Sequence, residues 1–222
     1  MAARKSYNQN CPIARGLDLL GERWTLLILR ELIGGARRYS DLRAELPGIA
    51  TNLLADRLRE LEVSGVVDRT ELPPPIARTV YTLSEVGWRK VPPVIGAIAT
   101  FGLDLIEPDA SALTPLNGFL AGILLAFDPA RAADLAATYR VDIDGRRFEF
   151  GVRDRNLTAA RMEPAITVAA TAADLITARL GSTAAERKAA LRRVKVDGDP
   201  DGINAMRNAF RLAGDPGLAV AT

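Results

Sequence analysis

Thr51, Asn52, Asp56 and Arg59 bring a hydroxyl, a carboxamide, a carboxylate and a guanidinium into one short stretch of chain. Asn and Arg each offer two parallel hydrogen bonds to a planar partner, and Asp can accept from an amino group. Groups of this kind can tell one nucleobase edge from another. The stretch, IATNLLADRLRELEVSG, has helical periodicity: Leu54, Leu58 and Leu61 fall on one side of the wheel, and Asn52, Asp56 and Arg59 on the other. A charged helix face is also what simple solvation produces, so both readings stand for each residue taken alone.

Other chemistry is constrained by what the sequence lacks. With no histidine in 222 residues, the commonest general base and the usual zinc ligands are missing, which argues against an acid-base enzyme. No cofactor motif is present. The single cysteine, Cys11, excludes an internal disulfide framework. At a helix start its thiol could be activated for redox or electrophile sensing, and it could equally be a packed, inert thiol. The net charge is only +2, from 29 basic and 27 acidic residues. If nucleic acid is the partner, local placement of arginines must do the work. The N-terminus has no apolar leader and no segment is apolar enough to span a membrane, so the expectation is a cytoplasmic protein.

The elements that must position these groups follow from periodicity and stop signals. Pro12 to Leu20 reads as a helix ended by Gly21, and Arg23 to Ile33 as a second, mostly buried helix ended by Gly34-Gly35. Ser40 is the expected N-cap of a short helix through Leu46, and Pro47-Gly48 a turn. The helix beginning near Thr51 ends at Gly65. VVDRTEL and RTVYTL then read as strands joined by PPPIA. Helix, helix, turn, helix and hairpin make a winged helix-turn-helix. Ser84 to Ile106 reads as a long apolar helix kinked or interrupted at Pro92-Pro93, with more apolar surface than a small domain can hide.

Cys11-Pro12, GERWTLLILREL, Arg38-Tyr39-Ser40-Asp41-Leu42, LLADRLRELEVSGVVDR and VYTLSEVG together resemble the HxlR family of winged-helix regulators, over about residues 11 to 106. The resemblance implies a homodimer built through its terminal helices, bound to a palindromic site on double-stranded DNA. The helix starting near Thr51 would enter the major groove amino end first. Thr51, Asn52, Asp56 and Arg59 would then read bases, while Arg37, Arg38, Tyr39, Ser40 and Arg78 would fix register on the phosphates. At Cys11 the resemblance implies a position where some members sense oxidants.

Beyond a Pro/Ser/Ala-rich boundary at 107–116, NGFLAGILLAFDP reads as an apolar helix, with a second following through Leu135. TYRVDID and RRFEFGVR alternate around Gly145 as a hairpin, with Tyr139, Val141 and Ile143 facing the same way on one strand and Phe148, Phe150 and Val152 on the other. Short strands around LTAARM and AITVAAT, helices at 172–180 and 184–191, a strand RRVKVDGD and a helix from Asp201 to Leu212 complete the half. YRVDIDGRRFEFGV, PAITVAATAADLITARLG and RRVKVDGDPDGINAMRNAF are similar to the sterol-carrier-protein, lipid-binding fold. That resemblance implies a curved sheet with helices over a cavity for apolar molecules. Phe119, Ile123, Phe127, Phe148, Phe150, Leu175, Ile176 and Phe210 are the expected walls, and each is also a plausible plain core residue.

The expectation is therefore an α+β protein with a winged-helix and dimerisation domain at 1–106, a linker at 107–116 and an effector-binding domain at 117–222. Its expected role is that of a transcriptional regulator controlled by a small apolar effector. The alternatives are an architectural second domain with sensing at Cys11, or a lipid carrier.

Overall fold

The computed structural model describes residues 6–73, 75, 78–102, 105, 126–132 and 135–210. These residues divide into two compact units, Met1–Gly87 and Trp88–Thr222, with the division near the start of a long helix. The expected linker at 107–116, the apolar helix with Phe119 and Ile123, and the end of the last helix lie outside the described residues.

In the first unit, α1 (Pro12–Leu20) starts with Pro12 in the first turn, where a missing N–H costs nothing, and closes on Gly21. Helix α2 (Thr25–Ile33) begins at Thr25 and not at Arg23 as the periodicity suggested, because Trp24 stands in the left-handed region at φ +79° and breaks the helical run. Helix α3 (Tyr39–Glu45) also corrects the sequence reading. Its N-cap is Arg38 and not Ser40: the Asp41 carboxylate accepts the Arg38 N–H at 3.0 Å, placing Ser40 inside the first turn. Helix α4 (Thr51–Val63) starts at the expected residue.

The core of this unit is made by the apolar faces of α2, α3 and α4. Ile28, Leu29, Leu32, Leu42, Leu54, Leu58 and Leu61 are all essentially inaccessible. Strands β1 (Val67–Leu72) and β2 (Arg78–Leu83) pair antiparallel from Val67↔Leu83 to Leu72↔Arg78. The end of the hairpin is fastened to the end of α4 by Ser84, whose hydroxyl donates to the Gly65 carbonyl at 2.6 Å and accepts from the Gly87 N–H at 2.9 Å. Gly87 cannot carry a side chain there, since a Cβ would stand 2.2 Å from the Val66 carbonyl oxygen.

Helix α5 (Glu85–Gly102) runs through Pro92 and Pro93 as one helix. The prolines do not interrupt it, although the bonds their missing N–H groups would have made are lost. Among the described residues no helix is long and apolar enough to cross a membrane.

The second unit is built on a five-stranded sheet. Its strands are β3 (Ala137–Ile143), β4 (Arg146–Arg153), β5 (Asn156–Ala159), β6 (Ile166–Ala170) and β7 (Lys195–Gly198), in the order β5-β4-β3-β6-β7. Only β3 and β6 are parallel; the remaining pairs are antiparallel. Asp144 and Gly145 at φ +49° and +78° form the two-residue turn expected between β3 and β4.

Helices α6 (Ala172–Leu180) and α7 (Ala184–Arg193) pack together, and α8 (Pro200–Ala209) follows β7. Thr171 caps α6 by accepting the Asp174 N–H. The Arg193 guanidinium, with the Thr171 hydroxyl, holds the Asp174 carboxyl below its ordinary range. Two sequence expectations shift here. Where a helix was expected after Asp128-Pro129, the described residues show a 3-10 turn, Pro129–Arg131, with Ala132 and Leu135 outside any helix. Arg192 and Arg193 belong to the end of α7, which leaves the strand to Lys195–Gly198.

Register separates the sheet into two chemically distinct faces. Tyr139 lies opposite Phe150 and Ile166, and Val141 opposite Phe148 and Val168, so these residues share one apolar face. The other face carries Arg140 paired with Glu149 at 2.9 Å and Arg147 with Asp142 at 3.5 Å.

Candidate functional site

Leu54, Leu58 and Leu61 are buried to within about 1% exposure, which forces the opposite side of α4 outward. Thr51, Asn52, Asp56 and Arg59 are accordingly exposed. The N-cap is Ala50, which supplies no side-chain acceptor. The first N–H groups of α4 are therefore left for an external acceptor, with the positive end of the helix dipole behind them. Asp56 and Arg59 pair across one turn at 2.9 Å. Arg59 thus carries a built-in competitor for any acceptor it meets, and Asp56 is partly neutralised.

The residues expected to hold phosphates separate into two groups. Tyr39 is half-buried, and its hydroxyl donates to the Thr51 carbonyl at 2.6 Å. It ties α3 to the first residue of α4 and so sets where the amino end of that helix stands. Arg37 exchanges backbone hydrogen bonds with Tyr81, at 3.0 and 2.7 Å, extending the hairpin by a bridge. Its Nε points at the Glu31 carbonyl, 3.5 Å away. Arg38, Ser40 and, on the hairpin strand, Arg78 are exposed. Arg37 and Tyr39, by contrast, are half-buried and engaged with other parts of the unit.

Periodicity alone passed over two side chains. Arg43 is exposed one turn along α3 from Tyr39, adding a cation to this side of the unit. Arg57 is turned inward from α4 and pairs with Glu22, 3.5 Å away in the α1–α2 junction, and with Glu60 on its own helix. Beside Glu22, the Trp24 ring approaches Gly48, near enough that a Cβ there would meet it at 3.8 Å. The same junction thus reaches the middle of α4 and the turn that precedes it. Arg57 was detectable in the sequence: it lies three residues from Leu54 and four from Leu61, on the edge of the apolar stripe, where a charge needs a partner.

Cys11 is half-buried and sits at the N-cap of α1 without a side-chain cap hydrogen bond.

In the second unit, Phe148, Phe150 and Phe210 are buried. Phe127 meets Phe210 with ring centroids 5.2 Å apart, and Phe210 lies edge-on to both Tyr139 and Phe150 at 5.5 and 5.9 Å. Leu175 is half-buried on α6, and Phe119, Ile123 and the side chain of Ile176 are outside the described residues. The structure thus brings together Phe127, Phe150 and Phe210, adds Tyr139 to them, and places Phe148 on the same sheet face.

The sequence model of HxlR-like helix-turn-helix proteins matches residues 19–110. Among curated proteins, the chain is 39% identical over 108 residues to the HTH-type transcriptional regulator sll1512 of Synechocystis, a match taking in 49% of this chain and 79% of that protein. It is 34% identical over 104 residues to YvaP of Bacillus subtilis, covering 46% of this chain and 95% of the relative. To YodB, an HTH-type transcriptional regulator of the same organism, it is 38% identical over 81 residues, with 36% of this chain and 72% of YodB covered. The chain belongs to the HxlR-like helix-turn-helix family.

Proposed function

We propose that this protein is a sequence-specific, double-stranded-DNA-binding transcriptional regulator that acts as a homodimer and responds to a small apolar effector bound in its second half. The observation that carries the DNA-binding part is α4. Its leucine face is sealed in the core, its amino end is held by Tyr39, and Thr51 and Asn52 stand exposed beside uncapped N–H groups. In this reading the amino end enters the major groove. Asn52 pairs with an adenine edge, Arg59 exchanges Asp56 for a guanine, and Arg38, Ser40, Arg43 and Arg78 take phosphates.

Dimerisation is supported by apolar side chains that a monomer would leave in water. Ile98, Phe101 and Leu105 are 46%, 79% and 72% exposed, and Ile13 is 73% exposed. Domains of 1–106 and 117–222 joined at 107–116 accommodate this reading, with the second adopting a sterol-carrier-like fold. Support for an effector site comes from the aromatic layer on the apolar face of the five-stranded sheet.

Selection of bound duplexes from random DNA tests the central claim. The expected outcome is a palindrome with half-sites about 10 bp apart. Affinity for it should fall steeply with salt. Recovery of DNA with no enriched sequence would remove the reading. A second mode of control, sensing at Cys11 with an architectural second half, is favoured by the partial exposure of that thiol at a helix start. If Cys11→Ser leaves the oxidant sensitivity of DNA binding unchanged, that mode is excluded.

A further inference from the structure

Tyr139 stands on β3, the central strand of the sheet in the second unit, and only 1% of its surface is exposed. Its ring stacks on Phe150 at 5.3 Å and is met edge-on by Phe210 at 5.5 Å. The hydroxyl at the end of that ring is sealed from solvent and has no hydrogen-bond partner among the described residues. Every ring contact would be made equally well by phenylalanine, so the hydroxyl contributes only a donor without an acceptor. Buried polar groups are normally paired, because an unmade bond forfeits the water that was given up for it.

The surroundings restrict what could satisfy this donor. Phe150, Ile166, Val141, Phe148 and Val168 share the face with Tyr139, while Arg140, Asp142, Arg147 and Glu149 of the adjoining strands occupy the opposite face. Among the described side chains of these strands, the charge on the Tyr139 side is Arg146, opposite Ile143 at the turn end of the hairpin and four residues along from the Tyr139–Phe150 pair; an ionised ligand would be costly to bring into the apolar layer around Tyr139 itself. A single water would be poorly held as well, since a buried water ordinarily needs two to four polar partners. Burial pushes the phenol pKa up to about 12, so at neutral pH the group keeps its proton and remains a donor.

We infer that the Tyr139 hydroxyl is the polar anchor of a binding site for an uncharged, apolar molecule with one hydrogen-bond-accepting oxygen, such as a ketone or an ester. The apolar body of the ligand packs in the layer formed by Phe127, Phe150 and Phe210, and its oxygen accepts from Tyr139. This rests on the reading of the second half as an effector site and adds the chemical class of effector and the residue that selects it.

Two naphthalene probes test it on the full-length protein: 6-propionyl-2-(dimethylamino)naphthalene, a fluorescent ketone, and its 6-propyl counterpart, which lacks the oxygen. The wild-type protein is expected to bind the ketone more tightly. Tyr139→Phe should weaken ketone binding about tenfold and leave the hydrocarbon unchanged. Equal binding of the ketone by variant and wild type overturns the anchor while leaving an apolar effector site standing. If neither probe binds the wild-type protein, the anchor and the effector reading fall together. Should the variant not fold, the emission of the ketone bound to wild type decides. A red-shifted, hydrogen-bonded carbonyl supports the anchor, and the blue emission of a dry carbonyl overturns it.

Discussion

The two units place the polar atoms suited to recognition differently. In the first, these groups are outside, on the solvent side of α4, and the charged groups turned inward are paired with opposite charges, although the Thr25 hydroxyl and the Arg57 Nε have no hydrogen-bond partner among the described residues. Glu31, fully buried, is paired with Arg30 at 2.7 Å, and the inward-turned Arg57 has carboxylates from Glu22 and Glu60. In the second, the ion pairs Arg140–Glu149 and Arg147–Asp142 stand on the face of the sheet away from Tyr139, and the Tyr139 hydroxyl, enclosed in an aromatic layer, has no hydrogen-bond partner among the described residues. A macromolecular ligand such as DNA is read from outside, so its site can be built without disturbing the core. A small apolar ligand is enclosed, so its site must be made from core, and a polar contact with it leaves a core group unsatisfied until the ligand arrives.

The largest effects should come from deleting core on either side of this comparison. Phe210→Ala removes a ring that touches Phe127, Tyr139 and Phe150 and should cost roughly 3–5 kcal/mol of unfolding free energy. Leu54→Ala on the buried side of α4 should cost about 2–5 kcal/mol. Both are read by urea unfolding. A loss below about 1 kcal/mol for Phe210→Ala would mean that the aromatic layer is not core, and the contrast would dissolve. Asn52→Ala, two residues from Leu54 but exposed, should change stability by no more than about 0.5 kcal/mol. It should still weaken specific DNA binding by about 10- to 100-fold, measured by fluorescence anisotropy against a scrambled duplex. Equal weakening on both duplexes would demote Asn52 from reading bases to general contact.

Local pattern was enough to place α4, the β3–β4 hairpin and the face assignments of Tyr139, Val141, Phe148 and Phe150. In each case a 3.6- or 2-residue period bounded by Gly or an Asp-Gly turn leaves one solution. It misplaced elements where a tertiary or steric demand outweighed period. Trp24 is held in the left-handed region next to Gly48, and Asp41 caps Arg38 in preference to Ser40 taking that role. The site was legible to a similar depth. Exposure of Thr51, Asn52, Asp56 and Arg59 followed from the leucine stripe. The inward roles of Tyr39 and Arg37 did not, because their partners, Thr51 and Tyr81, are 12 and 44 positions away in sequence and are brought near only by folding. Tyr139 fitted the apolar alternation so well that its oxygen was easily overlooked.

Arg57 offers a smaller effect that sharpens the picture of the first unit. With only 14% of its side chain exposed and two carboxylate partners, Arg57→Ala should cost about 1–3 kcal/mol. Glu22→Gln alone should cost less, since Arg57 retains Glu60. A double-mutant cycle in which the two changes simply add would show that the α1–α2 junction and α4 are not coupled through this pair.

The smallest effect at neutral pH concerns the orphaned hydroxyl itself. In ligand-free protein, Tyr139→Phe deletes an unpaired donor while keeping the ring stack, so the variant should be more stable by about 1 kcal/mol. Its alkaline behaviour makes the sign testable. The phenol is raised from 10.0 in the unfolded chain to about 12 in the folded protein, so the folded state resists ionisation. The contribution of the neutral phenol is complete below pH 10 and is lost as pH rises toward 12, because the unfolded chain can release the proton and the folded one cannot. The stability gap in favour of the variant should therefore be constant up to pH 10 and widen above it. Other tyrosines and lysines titrate in both proteins and cancel in the difference. A gap that stays flat through pH 12, or a variant less stable than wild type at pH 7, would mean that the hydroxyl is already satisfied, and the contrast between an outward site on α4 and an enclosed, waiting polar atom on β3 would lose its second half.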